Sequence, residues 1–261
     1  MSAALETTTD DGWLAVIGTG PGTSDWLTPE TSALAARATD LVGYGPYVAR
    51  LARPTQRVHA SDNRYELQRA AHALDLAAGG ARVAVVSGGD PGIYGMAAAV
   101  WEALERAEHA RWAKVMIHIA PGVSAIQAVA AVAGAPLGND FCVISLSDNL
   151  KPWSLIEQRL HAVGAGDFAV AFYNPISRAR PWQLGAALKI LRGYRTHTTP
   201  VIVGSAIGRP DADLCITDMA HVAPQQADMR SLVIVGASTT RVIATAAGPR
   251  AYTPRIYPAD Y

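Results

Sequence analysis

Val83-Ala-Val-Val-Ser-Gly-Gly-Asp-Pro-Gly-Ile-Tyr-Gly95 decides the fold, because an apolar run ends there in small residues and then opens into a helical pattern beginning near Met96. It reads as a buried strand, a tight loop and a helix. In open α/β sheets ligands lie at the carboxyl ends of strands, and Gly88, Gly89 and Gly92 let a backbone approach a ligand closely. Asp90 brings the one charge of the loop. A carboxylate there repels phosphate but attracts a cation or accepts from hydroxyls or an amine, which favours a nucleoside without phosphates. The same residues also read as an ordinary Gly-Pro turn between strand and helix.

Upstream, Trp13-Leu-Ala-Val-Ile17 is a first buried strand, followed by Gly18-Thr-Gly-Pro-Gly22. Thr28-Pro29-Glu30 has the cap, first-turn proline and acid of a helix running to about Ala38. The dinucleotide pattern GxGxxG is broken by Thr23, and no GxxxxGK[ST] stretch occurs, so neither a Rossmann dehydrogenase nor a P-loop nucleotidase is supported. Strands are expected at Asp40–Tyr44 and Gln56–Ala60, then a helix from about Asn63 to Ala78 ended by Gly79-Gly80. Strand Arg82–Ser87 leads into helix Met96–Glu108. Strand Lys114–Ile119 leads through Pro121-Gly-Val-Ser-Ala125 into an Ala-rich helix ending at Gly134. Repeated strand-then-helix units imply a parallel sheet covered on both faces.

Turn formers at Ala135-Pro-Leu-Gly-Asn139 interrupt this rhythm and mark a domain boundary. The expected domains are 11–134 and 140–247, both α/β, with 1–10 and 248–261 as flexible tails. In the second, strands are expected at Phe141–Leu146, Phe168–Phe172, Pro200–Gly204, Asp213–Thr217 and Ser231–Gly236, with helices near Trp153–Val163 and Arg180–Arg192. The close spacing of the last strands predicts a meander and a mixed sheet. Pro249, Pro254 and Pro258 argue against a regular element from Gly248 onward.

Half of the 261 residues are apolar, ample for a substantial core, and 22 basic residues balance 22 acidic ones. That balance gives no global field to recruit nucleic acid or an anionic membrane. Cys142 and Cys215 lie far apart in apolar runs without a CxxC, which predicts buried reduced thiols and a cytoplasmic setting. The first ten residues lack a basic-then-apolar pattern and no apolar run reaches the span of a bilayer, so neither export nor membrane insertion is expected. The seven histidines show no metal-ligand spacing, and His59 and His118 read as strand-end histidines.

In this order Gly18-Thr-Gly-Pro-Gly22, Ser87-Gly-Gly-Asp-Pro91, Pro121-Gly-Val-Ser-Ala125 and Thr199-Pro-Val201 resemble the motifs of the tetrapyrrole methylase family, almost end to end. The resemblance implies two α/β domains, a parallel N-terminal and a mixed C-terminal sheet, with S-adenosylmethionine between them. Val42-Gly-Tyr-Gly-Pro-Tyr47, Gly89 to Met96, Ala135 to Cys142, Ile144-Ser-Leu-Ser-Asp148 and Phe172-Tyr-Asn-Pro175 are similar to the members that methylate precorrin-3B at C17 while the macrocycle contracts at C20. It implies donor contacts from Pro21, Gly88, Gly89, Asp90, Ile93, Ser124, Ala125, Asn174 and Ile207, most of them through backbone. Taken alone, Pro21 also reads as a rigid turn, and Ser124-Ala125 as a helix N-cap. Members that methylate uroporphyrinogen tend to carry an acid after the tyrosine ending the second strand; here Gly45 follows Tyr44, so that base does not transfer.

Methyl transfer from a sulfonium needs alignment rather than a nucleophilic side chain, and the electron-rich tetrapyrrole supplies the carbon. Contraction would benefit from a group that manages the proton on the C20 oxygen, for which Asp148 is the first candidate, then Tyr44 and Tyr47. Asp148 also reads as a turn cap ahead of Pro152. Acetate and propionate arms call for cations, with Arg178, Arg180 and Lys151 as candidates, each of which also reads as a solvated surface charge. The rivals are methylation of the cobalt-containing counterpart or at another carbon, and a non-catalytic donor-binding module. A homodimer is expected from the family, and the six tryptophans exceed what one core needs.

Overall fold

The computed structural model describes residues 12–62, 64–106 and 110–257, and the chain divides into two compact units, Met1–Ser124 and Ala125–Tyr261. The division falls ahead of the Ala-rich helix, which counts with the second unit rather than with the 11–134 domain expected from the sequence. The 1–10 tail, the Asn63 helix start and the Glu108 helix end expected from the sequence lie outside the described residues.

The first unit contains β1 (Trp13–Gly18), α1 (Pro29–Arg37), β2 (Asp40–Tyr44), α2 (Gly45–Val48), β3 (Arg57–Ser61), α3 (Glu66–Ala78), β4 (Arg82–Ser87), α4 (Met96–Glu105) and β5 (Met116–Ala120). Its five strands are all parallel, in the order β3-β2-β4-β1-β5. Every residue of β1 is buried, and successive side chains serve two cores. Trp13, Ala15 and Ile17 pack with Leu34 and Ala35 of α1, whereas Leu14 and Val16 pack with Leu74 of α3 and Val100 of α4. That is why β1 and β4 read as unbroken apolar runs. Thr28 caps α1 through its hydroxyl, which accepts from Thr31 N at 3.1 Å. The Gln56 amide donates to the Ala35 and Ala38 carbonyls at 2.7 and 2.9 Å, closing the other end of α1 and leaving β3 to begin one residue later than expected.

The second unit contains α5 (Ala125–Ala133), β6 (Gly134–Ala135), β7 (Phe141–Ser145), α6 (Trp153–Ala165), β8 (Ala169–Tyr173), α7 (Gln183–Leu191), β9 (Pro200–Ser205), β10 (Asp213–Asp218), β11 (Ser231–Val235), β12 (Arg241–Thr245) and β13 (Gly248–Tyr252). Its main sheet runs β10-β9-β11-β8-β7; β7 and β8 are parallel and the other pairs antiparallel. This is the mixed sheet expected from the strand spacing. Phe172, Val201 and Val233 meet Ile156 and Leu160 of α6 and Leu184 and Leu188 of α7 in one core.

Two expectations are corrected. The segment after Gly248 is a strand: β13 pairs antiparallel with β12 and parallel with β6. Pro249 is its second residue, beside the turn at Gly248, where a missing N–H costs little of the ladder. Cys142 and Cys215 are free but only half-buried, because β7 and β10 are the two edges of their sheet. Four strand spacings, roughly 19 Å, separate those edges, which precludes a disulfide. Among the described residues no helix is long and apolar enough to cross a membrane.

Candidate active site

In the first unit the loops after β1, β4 and β5 interlock, as adjacency of those three strands requires. Gly20 and Gly89 exchange backbone hydrogen bonds of 3.2 and 3.0 Å, and both take the left-handed conformation that glycine tolerates, with φ of +67° and +64°. A Cβ on Gly122 would collide with the Gly89 carbonyl and lie 2.9 Å from Gly18. Asp90 fastens this crossing: Oδ1 accepts from Gly92 N at 2.7 Å and Oδ2 from Gly122 N at 3.0 Å. Its carboxylate therefore holds two loops together, and each oxygen keeps a further lone pair for a ligand donor. The Ser87 hydroxyl accepts from Met96 N at 3.3 Å, so the start of α4 is tied to the end of β4.

Around this clasp lie the other residues singled out from the sequence. The Tyr47 ring lies against Gly88, whose added Cβ would be 2.7 Å from it, and Tyr44 meets Tyr47 edge-to-face at 5.3 Å. Both tyrosines depend on α2, a single turn with Pro46 in its first positions that was not anticipated. Ile93 is 38% and Tyr94 54% exposed, which offers apolar surface beside a loop of small residues. Pro21 follows Gly20 in the same crossing, and Ser124 is buried at the end of the β5 loop. Arg50 donates to the carbonyls of Thr19 and Gly22, bracing the Pro21 loop from a position that carried no signal in the sequence. An acid after Tyr44 would have had room, since a Cβ on Gly45 would meet just Ala60 at 3.9 Å.

In the second unit the ends of β7 and β8 gather most of the remaining candidates. Asn174 has φ of +51°; its Nδ2 donates to Ser145 Oγ at 3.0 Å and its carbonyl accepts from Arg180 Nη1 at 3.2 Å. Both oxygens of Asp148 accept from Gln183 Nε2 at 3.2 Å. Gln183, the first residue of α7, is fully buried, and its Oε1 has no partner among the described residues. Lys151 Nζ donates to the Ser147 carbonyl at 3.1 Å; burial, Arg159 and Arg180 lower its pKa while Asp148 opposes them. Arg178 is exposed on the neighbouring loop. The Tyr173 hydroxyl accepts from Ile126 N at 3.0 Å, capping the α5 start that contains Ala125. Ile207 is buried in the loop after β9, against the face of Gly204.

The first unit thus offers a rigid cradle of backbone and apolar side chains with one carboxylate. The second offers a hydrogen-bonded carboxylate with Lys151, Arg159 and Arg180 close by. The former fits a sulfonium nucleoside, and the latter fits proton handling beside an anionic substrate.

Residues 14–223 match the family model of Tetrapyrrole (Corrin/Porphyrin) Methylases. The chain is 50% identical over 248 residues to a precorrin-3B C(17)-methyltransferase of Sinorhizobium sp, covering 94% of this chain and 97% of that one. It is 39% identical over 231 residues to a probable cobalt-factor III C(17)-methyltransferase of Salmonella typhimurium, covering 88% and 94%. The crystal structure of the methyltransferase CobJ superposes with a TM-score of 0.89 at 49% identity, over 94% of this chain and all of that one.

Proposed function

Since the chain belongs to the tetrapyrrole methylase family, we propose that it methylates precorrin-3B at C17, with contraction of the macrocycle at C20, in cobalamin biosynthesis. The observation that carries this reading is the 50% identity to the Sinorhizobium enzyme over nearly the full length of both chains. The chain is a C-methyltransferase of the S-adenosylmethionine-dependent type.

S-adenosylmethionine, when bound, supplies an electrophilic methyl group on a sulfonium. Pro21, Gly88, Gly89, Asp90, Ile93 and Ser124 of the first unit and Ala125, Asn174 and Ile207 of the second are the proposed donor contacts. The clasp among Gly18, Gly89 and Gly122 keeps its backbone groups fixed before binding, which lowers the ordering cost of holding the methyl in line with C17. Tyr44 and Tyr47 present an aromatic pair beside Gly88 on which a tetrapyrrole edge can rest. Asp148 takes up and returns the proton on the C20 oxygen, and Gln183 fixes its orientation. Lys151, Arg178 and Arg180 grip peripheral carboxylates, Arg178 and Arg180 from a loop that Asn174 anchors.

The proposed setting is the cytoplasm and the proposed state a homodimer, for which Trp101 and Trp182, 47% and 48% exposed, are interface candidates. The cobalt-factor III relative at 39% identity keeps the metallated substrate as the alternative. Parallel assays with precorrin-3B and cobalt-factor III decide it: the first should be the better substrate by kcat/KM, and preference for the second would reverse the assignment.

A further inference from the structure

Edge strand β3 and helix α3 bound a cleft of about 490 Å³ lined by His59, Ser61, Asp62, Gln68, Arg69 and His72 among others, a size typical of small-molecule sites. Arg69 is 6% exposed. Its Nε donates to Ser61 Oγ at 2.8 Å, Nη2 to the carbonyls of Ser61 and Asp62 at 3.4 and 2.7 Å, and Nη1 to Met96 Sδ at 3.4 Å. All four acceptors are neutral, so the guanidinium is desolvated without a bonded counter-ion, an expensive arrangement. Burial accordingly lowers its pKa, with Glu66 opposing. Because Ser61 Oγ accepts from the cation, its own O–H is a polarised donor for an acceptor that lies elsewhere.

The other charges around the cleft are largely accounted for. Asp40 of β2 is fully buried; Arg57 binds it through two hydrogen bonds of 2.8 and 2.7 Å, and His59 Nε2 at 2.8 Å. An ionised carboxylate only accepts, so His59 Nε2 carries the hydrogen, and Nδ1 accepts from His72 Nε2 at 3.0 Å. Asp62 after β3 and Glu66 on α3 are the acids on the exposed side, and Glu66 also accepts from Arg64 N at 3.2 Å.

Ser61 is the register partner of Tyr44, and β2 alone separates β3 from β4. The Ser61 end of the cleft is therefore two strand spacings, roughly 10 Å, from the Gly88–Asp90 loop. A tetrapyrrole resting on Tyr44 and Tyr47 carries acetate and propionate arms across that distance.

We propose that this cleft is a subsite for one peripheral carboxylate of the tetrapyrrole, received by the Ser61 hydroxyl over the buried Arg69 charge. It rests on the function proposed above and places an anchor for the substrate in the first unit.

The test uses the intact enzyme, precorrin-3B and S-adenosylmethionine. Gln68 is exposed on the cleft rim, where substitution spares the core. Gln68→Glu should raise the tetrapyrrole KM about 3-fold and Gln68→Lys lower it by a similar factor, with kcat and donor affinity unchanged, as expected for one partly screened charge. Arg69→Gln should raise that KM by about 10-fold or more. A structural role for Arg69 would not make the KM follow the sign of charge at Gln68. Normal wild-type turnover with a KM blind to that sign would overturn the subsite alone. Absence of wild-type methyl transfer to precorrin-3B would overturn the functional reading and the subsite with it.

Discussion

Asp148 and Gln183 set the sharpest residue-level test. In Asp148→Asn the new amide faces the Gln183 amide, but rotating Gln183 brings its otherwise unpartnered Oε1 onto the Asn nitrogen. The fold should therefore survive, with an unfolding temperature close to wild type, while contraction slows by about 10²- to 10⁴-fold and donor affinity holds. An unaltered rate would remove Asp148 from the mechanism. At the clasp, Gly122→Ala must push against backbone at Gly89 and Gly18, so calorimetry should show donor affinity at least about 10-fold weaker. Gly45→Ala, which meets just Ala60 at 3.9 Å, should bind the donor normally. The glycines of the β4 loop were legible because a glycine cluster directly after a buried apolar run marks a strand end where backbones must approach closely. The clasping role of Asp90 was not, since its partner Gly122 lies 32 residues on and is brought close only by β1 between them in the sheet. Gln183 gave no signal either: a glutamine opening a helix reads as solvent-facing until burial is known.

At the level of elements, the β2–β3 edge depends on Asp40. Burial by itself would raise that carboxyl, but hydrogen bonds from Arg57, Thr39 and His59 outweigh it and hold its pKa at about 2, below the ordinary 3.8. The unfolded chain thus binds the proton more readily. The stabilisation, about 2 kcal/mol, is complete above roughly pH 4 and is lost as pH falls through about 2. Denaturant titrations should show Asp40→Asn less stable by about 2–3 kcal/mol at pH 7, with a flatter pH dependence between 4 and 2. Equal pH slopes in both proteins would contradict it. Strands buried on both faces announced themselves as apolar runs, which is why β1, β2 and β4 were placed within a residue of their ends. The single-turn α2 was too short for periodicity to register. β12 carries the apolar run Val242-Ile243-Ala244, but all five of its residues are exposed, and the run was too short to be told from a loop by periodicity.

At the scale of the whole chain, the last described segment is a working part of the second unit. β13 lies between β12 and β6, Ala251 is fully buried, and Thr253 Oγ1 donates to the Pro136 carbonyl at 2.6 Å while sharing a 2.8 Å bond with Thr240. Thr253→Val leaves that buried carbonyl without its donor and should cost about 1–3 kcal/mol in thermal or chemical denaturation. No loss would mean that the segment is dispensable. Pro249 and Pro254 concealed this strand because proline argues against ladders in general, whereas here Pro249 sits next to the turn and Pro254 lies two residues past the last paired residue, Tyr252. The two α/β halves and their parallel and mixed sheets were legible from element order, because that order restricts the possible connections.

The central claim is the site of methylation. Precorrin-3B incubated with the enzyme and S-adenosylmethionine labelled with carbon-13 in its methyl group should give a product one methyl heavier, with the label at C17 by NMR and C20 expelled from the ring. Label at C11 or C20, or no transfer at all, would contradict the account.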